Sequence, residues 1–197
     1  MLLTGDKARR VSAQAMRAGG GGTCLDRGHT FRAGVLMTQL LILYHSRTGG
    51  SAQMARAAAE AAQAECEVCL LPVAEAGTDQ MLRADGYIFV GPENLAALSG
   101  EMKAFFDLSY YPLLGRLEGR PYAHMICAGS DGYGAARQLE RIVTGWRLKE
   151  VQPPLVICTR SQTEAEILAP KQITPEDLAL CREMGQTLAA GLSLGLF

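Results

Sequence analysis

From Met37 onward, short apolar runs alternate with stretches in which apolar residues recur every three or four positions. The first pattern reads as buried strand and the second as amphipathic helix. Their regular alternation is the signature of a parallel sheet in an α/β fold. Five strands are predicted: Leu40-Leu41-Ile42-Leu43-Tyr44, about Cys66–Leu71, Tyr87-Ile88-Phe89-Val90, about Ala123–Ala128, and Leu155-Val156-Ile157-Cys158. The first is apolar throughout, as a strand covered on both faces should be.

Helical patterns fill the gaps. The first runs from about Ser51 to Gln63 and is dense in alanine, so its backbone can lie close to the sheet. A short helix is predicted near Asp79–Ala84. Another begins near Glu101 and buries Met102, Phe105 and Phe106. A fourth places Leu139, Ile142, Val143 and Trp146 at core spacing. The last opens with Thr174 as N-cap, Pro175 at the first helical position, and Glu176 and Asp177 in the first turn. Its buried face is marked by Cys181, Met184 and Leu188. The region between the third strand and Glu101 reads as a loop, Gly91–Gly100, and the path from the fifth strand to the last helix as a connection through Pro170.

Residues 1–36 show neither period. They contain Gly19-Gly20-Gly21-Gly22 and scattered arginines, so an extension without stable structure is expected. The stretch is Arg-rich and acid-poor like a transit peptide, but it lacks a clean amphipathic helix. A mis-assigned start is the other reading, with Met37 as the true one. Residues 37–197 then form one domain.

Charge changes at the same place. Residues 1–36 carry six Lys/Arg against two acids, and residues 37–197 carry thirteen against eighteen. The overall charge of -1 points to neither nucleic acid nor anionic lipid. No apolar run approaches the ~18 residues of a membrane helix. Of the six cysteines, Cys66 and Cys69 have C-x-x-C spacing, but on a strand residues three apart point to opposite faces. Cys24, Cys127, Cys158 and Cys181 read as small apolar residues, and the pattern suits a reduced, cytoplasmic setting.

In a doubly wound sheet, ligands bind beyond the carboxyl ends of the strands. Three loops leave those ends: His45–Ser51, Gly91–Gly100 and Gly129–Gly134. The first sets the hydroxyls of Ser46, Thr48 and Ser51 around Gly49 and Gly50, directly before a helix. Glycines let successive N–H groups face inward, and the helix adds the positive end of its dipole. This composition suits a phosphate. The loop is not a Walker loop, because no G-K-[ST] follows, and it does not match G-x-G-x-x-G.

The segment Leu43-Tyr44-His45-Ser46-Arg47-Thr48-Gly49-Gly50-Ser51 resembles the flavodoxin phosphate loop, [ST]-x-T-G-x-[ST]. Residues 91–107, from Gly91-Pro92-Glu93-Asn94-Leu95 to Ser99-Gly100-Glu101-Met102-Lys103-Ala104-Phe105-Phe106-Asp107, resemble the G-x-P-x-x-x-G-x-x-S-G-x-M-K-x-F-x-D region of FMN-dependent reductases. The quinone reductases of the tryptophan-repressor-binding-protein type are the nearest such family, and the resemblance covers roughly residues 39–192.

It implies a flavodoxin-like three-layer α/β sandwich with a five-stranded parallel sheet in the order 2-1-3-4-5. It implies FMN as cofactor, with NADPH or NADH as co-substrate. Ser46, Arg47, Thr48, Gly49, Gly50 and Ser51 would surround the phosphate. Pro92, Glu93, Asn94 and Leu95 would border the isoalloxazine ring, and Gly129, Ser130, Asp131, Gly132 and Tyr133 would close its other side. No side chain need act as acid or base, since the flavin carries the chemistry. The partner would be a small-molecule acceptor such as a quinone or a flavin, and the assembly a homodimer or homotetramer.

Electron-carrying flavodoxins usually stack aromatic rings on both flavin faces and are strongly acidic. Here residues 92–98 contain no aromatic, Tyr133 alone could stack from the other loop, and the acidity is mild. An enzyme is therefore favoured over a carrier without NAD(P)H activity of its own.

The remaining candidates read as structural. His45 is either a flavin contact or a solvated loop residue. His124 is expected to be a hydrogen-bonded core or interface histidine, and Trp146 a core residue. Tyr110-Tyr111-Pro112-Leu113-Leu114 is expected on the sheet or at a subunit contact. Arg116 and Arg120 could meet a nicotinamide phosphate, with solvated surface as the default. Ser130-Asp131 is no hydrolase elbow, since G-x-S-x-G is absent, and no metal site is expected because no cluster has zinc spacing.

Overall fold

A computed structural model describes residues 38–197, together with the backbone of Phe31–Arg32 and Val35–Leu36, which pair antiparallel. The expectation for residues 1–36 therefore lies largely outside the described residues. The sheet is built from β1 (Gln39–Tyr44), β2 (Glu67–Pro72), β3 (Gly86–Asn94), β4 (Pro121–Ala128) and β5 (Leu155–Cys158). All five run parallel in the order β2-β1-β3-β4-β5, as the sequence predicts. A two-residue strand, Lys149–Glu150, also pairs with the start of β4, below the point where β5 joins.

Among the described residues α1 (Gly50–Ala62), α2 (Thr78–Arg83), α3 (Gly100–Leu113) and α4 (Tyr133–Thr144) lie between the strands, and α5 (Glu164–Leu168) and α6 (Pro175–Ser193) follow the last one. Caps fall where hydroxyls permit them. Ser99 accepts from the Met102 N–H at the start of α3, and Thr174 from the Asp177 N–H at the start of α6.

The period of two in the strands divides the core. Leu40, Ile42, Ile88, Val90, Ala123 and Met125 face α1 and α6, where Ala55, Ala58, Ala62 and Leu188 cover them. Leu41, Leu43, Tyr87, Phe89, Tyr122 and Ile126 face the other layer, which Phe105, Phe106, Leu139 and Trp146 fill. Cys66 and Cys69 fall in these two opposite clusters, which bears out the reading of their spacing.

Two expectations need correction. The stretch after Val90 is not all loop: β3 continues to Asn94, turns, and pairs antiparallel with Ala97–Leu98. The link from β5 to the last helix contains α5, opened by a capping box between Thr163 and Glu166. Five residues are too few for a helical period to show in the sequence.

Candidate functional site

β1, β3, β4 and β5 end at one edge of the sheet, and the chain leaving them encloses a cavity of about 350 Å³. Its wall comes from Ser46, Arg47, Thr48, Gly50 and Ser51 after β1, Pro92–Asn94 at the end of β3, and Cys127–Ser130 at the end of β4. Thr159, Ser161, Ile167, Leu168 and Lys171 beyond β5 complete it.

Ten of the fifteen residues singled out in the sequence line this cavity. Gly49, Leu95, Asp131, Gly132 and Tyr133 stand just outside its lining: Leu95 is fully exposed at a hairpin tip, and Tyr133 is mostly exposed on the first turn of α4. The wall from Thr159 to Lys171 was not anticipated, and neither were Cys127 and Ala128.

The loop after β1 is shaped by its own backbone. The Gly49 N–H donates to Ser46 Oγ at 3.1 Å. Gly49 and Gly132, directly before α1 and α4, have φ of 90° and 87°, a left-handed conformation that a Cβ disfavours. Neither helix has a side-chain cap at its start. The opening N–H groups of α1 therefore keep their donor capacity for whatever lies before the helix.

The chain beyond β5 is clamped onto this loop. The Lys171 N–H donates to the Thr48 carbonyl at 2.7 Å. Gln53 Nε2 donates to the carbonyls of Gly49 and Lys171 at 3.1 and 2.7 Å, while its Oε1 accepts from the Ile173 N–H at 3.2 Å. The Lys171 ammonium donates to the carbonyls of Glu166, Ile167 and Ala169, where it caps the C-terminal end of α5.

Ser51 is buried, lines the cavity, and its Oγ has no hydrogen-bond partner. A buried hydroxyl left unpaired costs about 1–3 kcal/mol. An anion in front of α1 would satisfy it together with the helix N–H groups. The donor set therefore fits a phosphate. Cys127 lies beside it in the wall, and burial pushes its thiol up to about 11, with Lys171 opposing. It is a neutral thiol at neutral pH, not an activated nucleophile.

On the opposite wall, Glu93 Oε2 accepts from the Gly132 N–H at 2.8 Å, and its buried Oε1 has no partner. This bond ties the end of β3 to the start of α4. Leu98 N–H reinforces it by donating to Gln138 Oε1 at 2.8 Å. Between these anchors the turn residues Leu95 and Ala96 have φ of 51° and 61°. Such a two-residue turn normally takes Asn-Gly, so this one holds strain of roughly 1–3 kcal/mol per residue. Among the described residues, no aromatic lines the cavity.

Other candidates serve the scaffold. His45 Nδ1 lies 2.8 Å from Ser99 Oγ and its Nε2 lies 3.7 Å from Glu101, so it joins the end of β1 to the start of α3. It borders a second, more apolar cavity of about 830 Å³ between β1, β2 and α3. Arg120 is not a surface cation. Its Nη1 donates to the carbonyls of Met81, Leu82 and Ala84 and to Tyr87 Oη, at the end of α2. Trp146 is core, donating to the Tyr110 carbonyl at 3.0 Å. His124 is core as predicted, but neither ring nitrogen has a hydrogen bond.

Residues 72–162, which include two of the cavity's walls, match the family of NADPH-dependent FMN reductases. A flavodoxin from Aquifex aeolicus (strain VF5) is 35% identical over 107 residues, which is 52% of this chain and 56% of that protein. The match thus spans little more than half the length of that relative. The whole fold is similar to that of a flavodoxin from the domain Archaea, with TM-score 0.62 and 15% identity over 79% of this chain and 99% of the other. A flavodoxin, WrbA-like protein from Agrobacterium tumefaciens gives TM-score 0.58 and 20% identity over 77% of this chain and 95% of the other. At such identities the structural likeness is one of fold. Sheet order and these structural likenesses give the chain a flavodoxin-like fold, and residues 72–162, along two of the cavity's walls, are similar to the NADPH-dependent FMN reductase family.

Proposed function

We propose that the cavity binds FMN through its phosphate and that the protein is an NAD(P)H-dependent reductase. The phosphate reading rests on the buried, unpartnered Ser51 hydroxyl before an uncapped α1. Ser46, Thr48 and Ser51 would supply hydroxyls, and the N–H groups at the start of α1 would supply the rest. Arg47 is exposed and adds a screened charge at the rim. The ring would lie between Pro92–Asn94 and Gly129–Ser130.

Bound FMN would supply the redox chemistry between NADPH or NADH and a quinone, free flavin or similar acceptor. The chain's own task is placement. The Glu93–Gly132 bond keeps two walls at a fixed separation, and Gln53 holds the chain beyond β5 over the phosphate loop. The reductase reading is carried by a cavity wall without an aromatic residue, which leaves a flavin face open to a second substrate. Both substrates would use that face in turn, giving ping-pong kinetics. The exposed apolar side chains of Leu108, Tyr111 and Leu114 on and after α3 suit a homo-oligomer.

Identity to a flavodoxin favours a second reading, an electron carrier served by a separate reductase. Mixing the flavin-loaded protein with NADPH or NADH without oxygen separates the two. Rapid bleaching of the flavin absorbance, reversed by a benzoquinone, is expected. No bleaching by either nucleotide, with reduction by a ferredoxin–NADP reductase instead, would replace the reductase reading with the carrier.

A further inference from the structure

His124 sits in β4 on the face toward α3 and α4, with no solvent exposure, and neither of its ring nitrogens has a hydrogen-bond partner. Its imidazole lies beside Tyr122, ring centroids 6.0 Å apart and planes 20° from parallel. Two carboxylates converge on it. Glu140 Oε1, from α4, lies 3.6 Å from Nε2, and Glu150 Oε1, from the edge strand Lys149–Glu150, lies 3.8 Å from Nδ1. Both distances exceed a hydrogen bond. One donor atom from each of the three residues can be chosen so that all lie within 4.8 Å of one another. Among the described residues, no lysine or arginine forms an ion pair with Glu140 or Glu150.

This arrangement leaves three things unresolved at once. A buried imidazole has no hydrogen-bond partner, two carboxylates face each other, and no lysine or arginine among the described residues balances them. Burial keeps the imidazole neutral at neutral pH, so a ring nitrogen offers a lone pair. Both glutamate side chains are roughly one-third exposed, so an ion and water can enter from their side.

We propose that His124, Glu140 and Glu150 form a binding site for a divalent transition-metal ion of the zinc class, separate from the cavity at the strand ends. One imidazole nitrogen and two carboxylate oxygens are a borderline-to-hard donor set, which suits Zn²⁺ or Co²⁺ and not a soft thiolate-seeking ion. Ligand bonds of about 2.0–2.2 Å require the donors to draw together. The partly exposed glutamates can make that movement toward the buried ring. Water would complete the coordination. The ion would bind β4, α4 and the edge strand to one another, a structural staple placed roughly four strand residues before Ala128 in the cavity wall.

The test uses the full chain after chelator treatment. Zn²⁺ is titrated calorimetrically and in thermal melts, and Co²⁺ serves as the optical probe. One Zn²⁺ per chain should bind and raise the melting temperature. Glu140→Gln and Glu150→Gln, which keep shape and sit at the rim, should each weaken binding tenfold or more. The double variant should abolish both the heat and the thermal shift. The Co²⁺ complex should show ligand-field bands without thiolate charge transfer. Absence of Zn²⁺ binding, equal affinity in the double variant, or a thiolate band would overturn the proposal. If a variant fails to fold, the wild-type stoichiometry and Co²⁺ spectrum decide.

Discussion

The two faces of the sheet are packed on different terms. Toward α1 and α6 the filling is small: Ala55, Ala57, Ala58, Ala59 and Ala62 lie against Cys181, Leu188 and Ala189. The two helices approach so closely that a Cβ at Gly185 would overlap the Ala58 carbonyl oxygen. Toward α3 and α4 the filling is large, with Phe89, Phe106, Tyr122 and Trp146 in a chain of ring contacts 5.4–6.3 Å between centroids. The first face fixes backbone position, and α1 carries the proposed phosphate loop at its N-terminus. The second face relies on side-chain volume, and it holds the buried histidine His124.

If that division is right, losses on the two faces should have different consequences. Phe106→Ala removes a fully buried ring between Phe89, Phe105 and Trp146. Urea unfolding should show a loss of about 3–5 kcal/mol, with flavin affinity of the folded fraction little changed. A comparable loss of affinity would mean that the aromatic face also shapes the cavity.

Ser51→Ala tests the other face at its functional end. If the proposed phosphate site is right, the substitution removes a charge-assisted hydrogen bond, so FMN affinity should fall by about 1.5–3 kcal/mol in fluorescence titration. The flavin-free protein should be no less stable, because the hydroxyl has no partner there. A stability loss without an affinity loss would remove Ser51 from the phosphate site.

Gly185→Ala should push α6 from α1 and cost about 1–3 kcal/mol. Unlike Phe106→Ala, it should also reduce bound FMN, measured as flavin per chain, because α1 carries the phosphate loop. Trp146→Phe, the mildest change, loses the bond to the Tyr110 carbonyl and should cost about 0.5–1.5 kcal/mol in the same unfolding assay. Flavin content should not respond. If it did, the two faces would be mechanically coupled through the sheet.

Much of this architecture was legible before any coordinates. Strand identity followed from apolar runs bounded by turn residues, because a strand buried on both faces has little choice of composition, while strand order followed only from the resemblance to flavodoxin-like proteins. The hairpin at 94–97 was not legible: Leu95 and Ala96 are poor residues for a left-handed turn, and tertiary anchors from Glu93 and Gln138 override local preference there. Arg120 was misread for a similar reason. A lone arginine after a helix looks solvated until the fold brings three carbonyl groups to it.

The sequence alone determined the candidate phosphate loop, because its hydroxyls, glycines and helix start are contiguous and act through local backbone geometry. It determined the five-strand alternation for the same reason, since burial on a strand or helix repeats over a few residues. Only the tertiary structure decided which residues beyond β5 close the cavity, since Thr48 and Lys171 meet through a backbone hydrogen bond that leaves no compositional trace. Only it could place His124 between Glu140 and Glu150. Those three come from a strand, a helix and an edge strand, so no spacing along the chain records their approach. Their proximity is set by the register of β4 with Lys149–Glu150 and by the packing of α4 on the sheet.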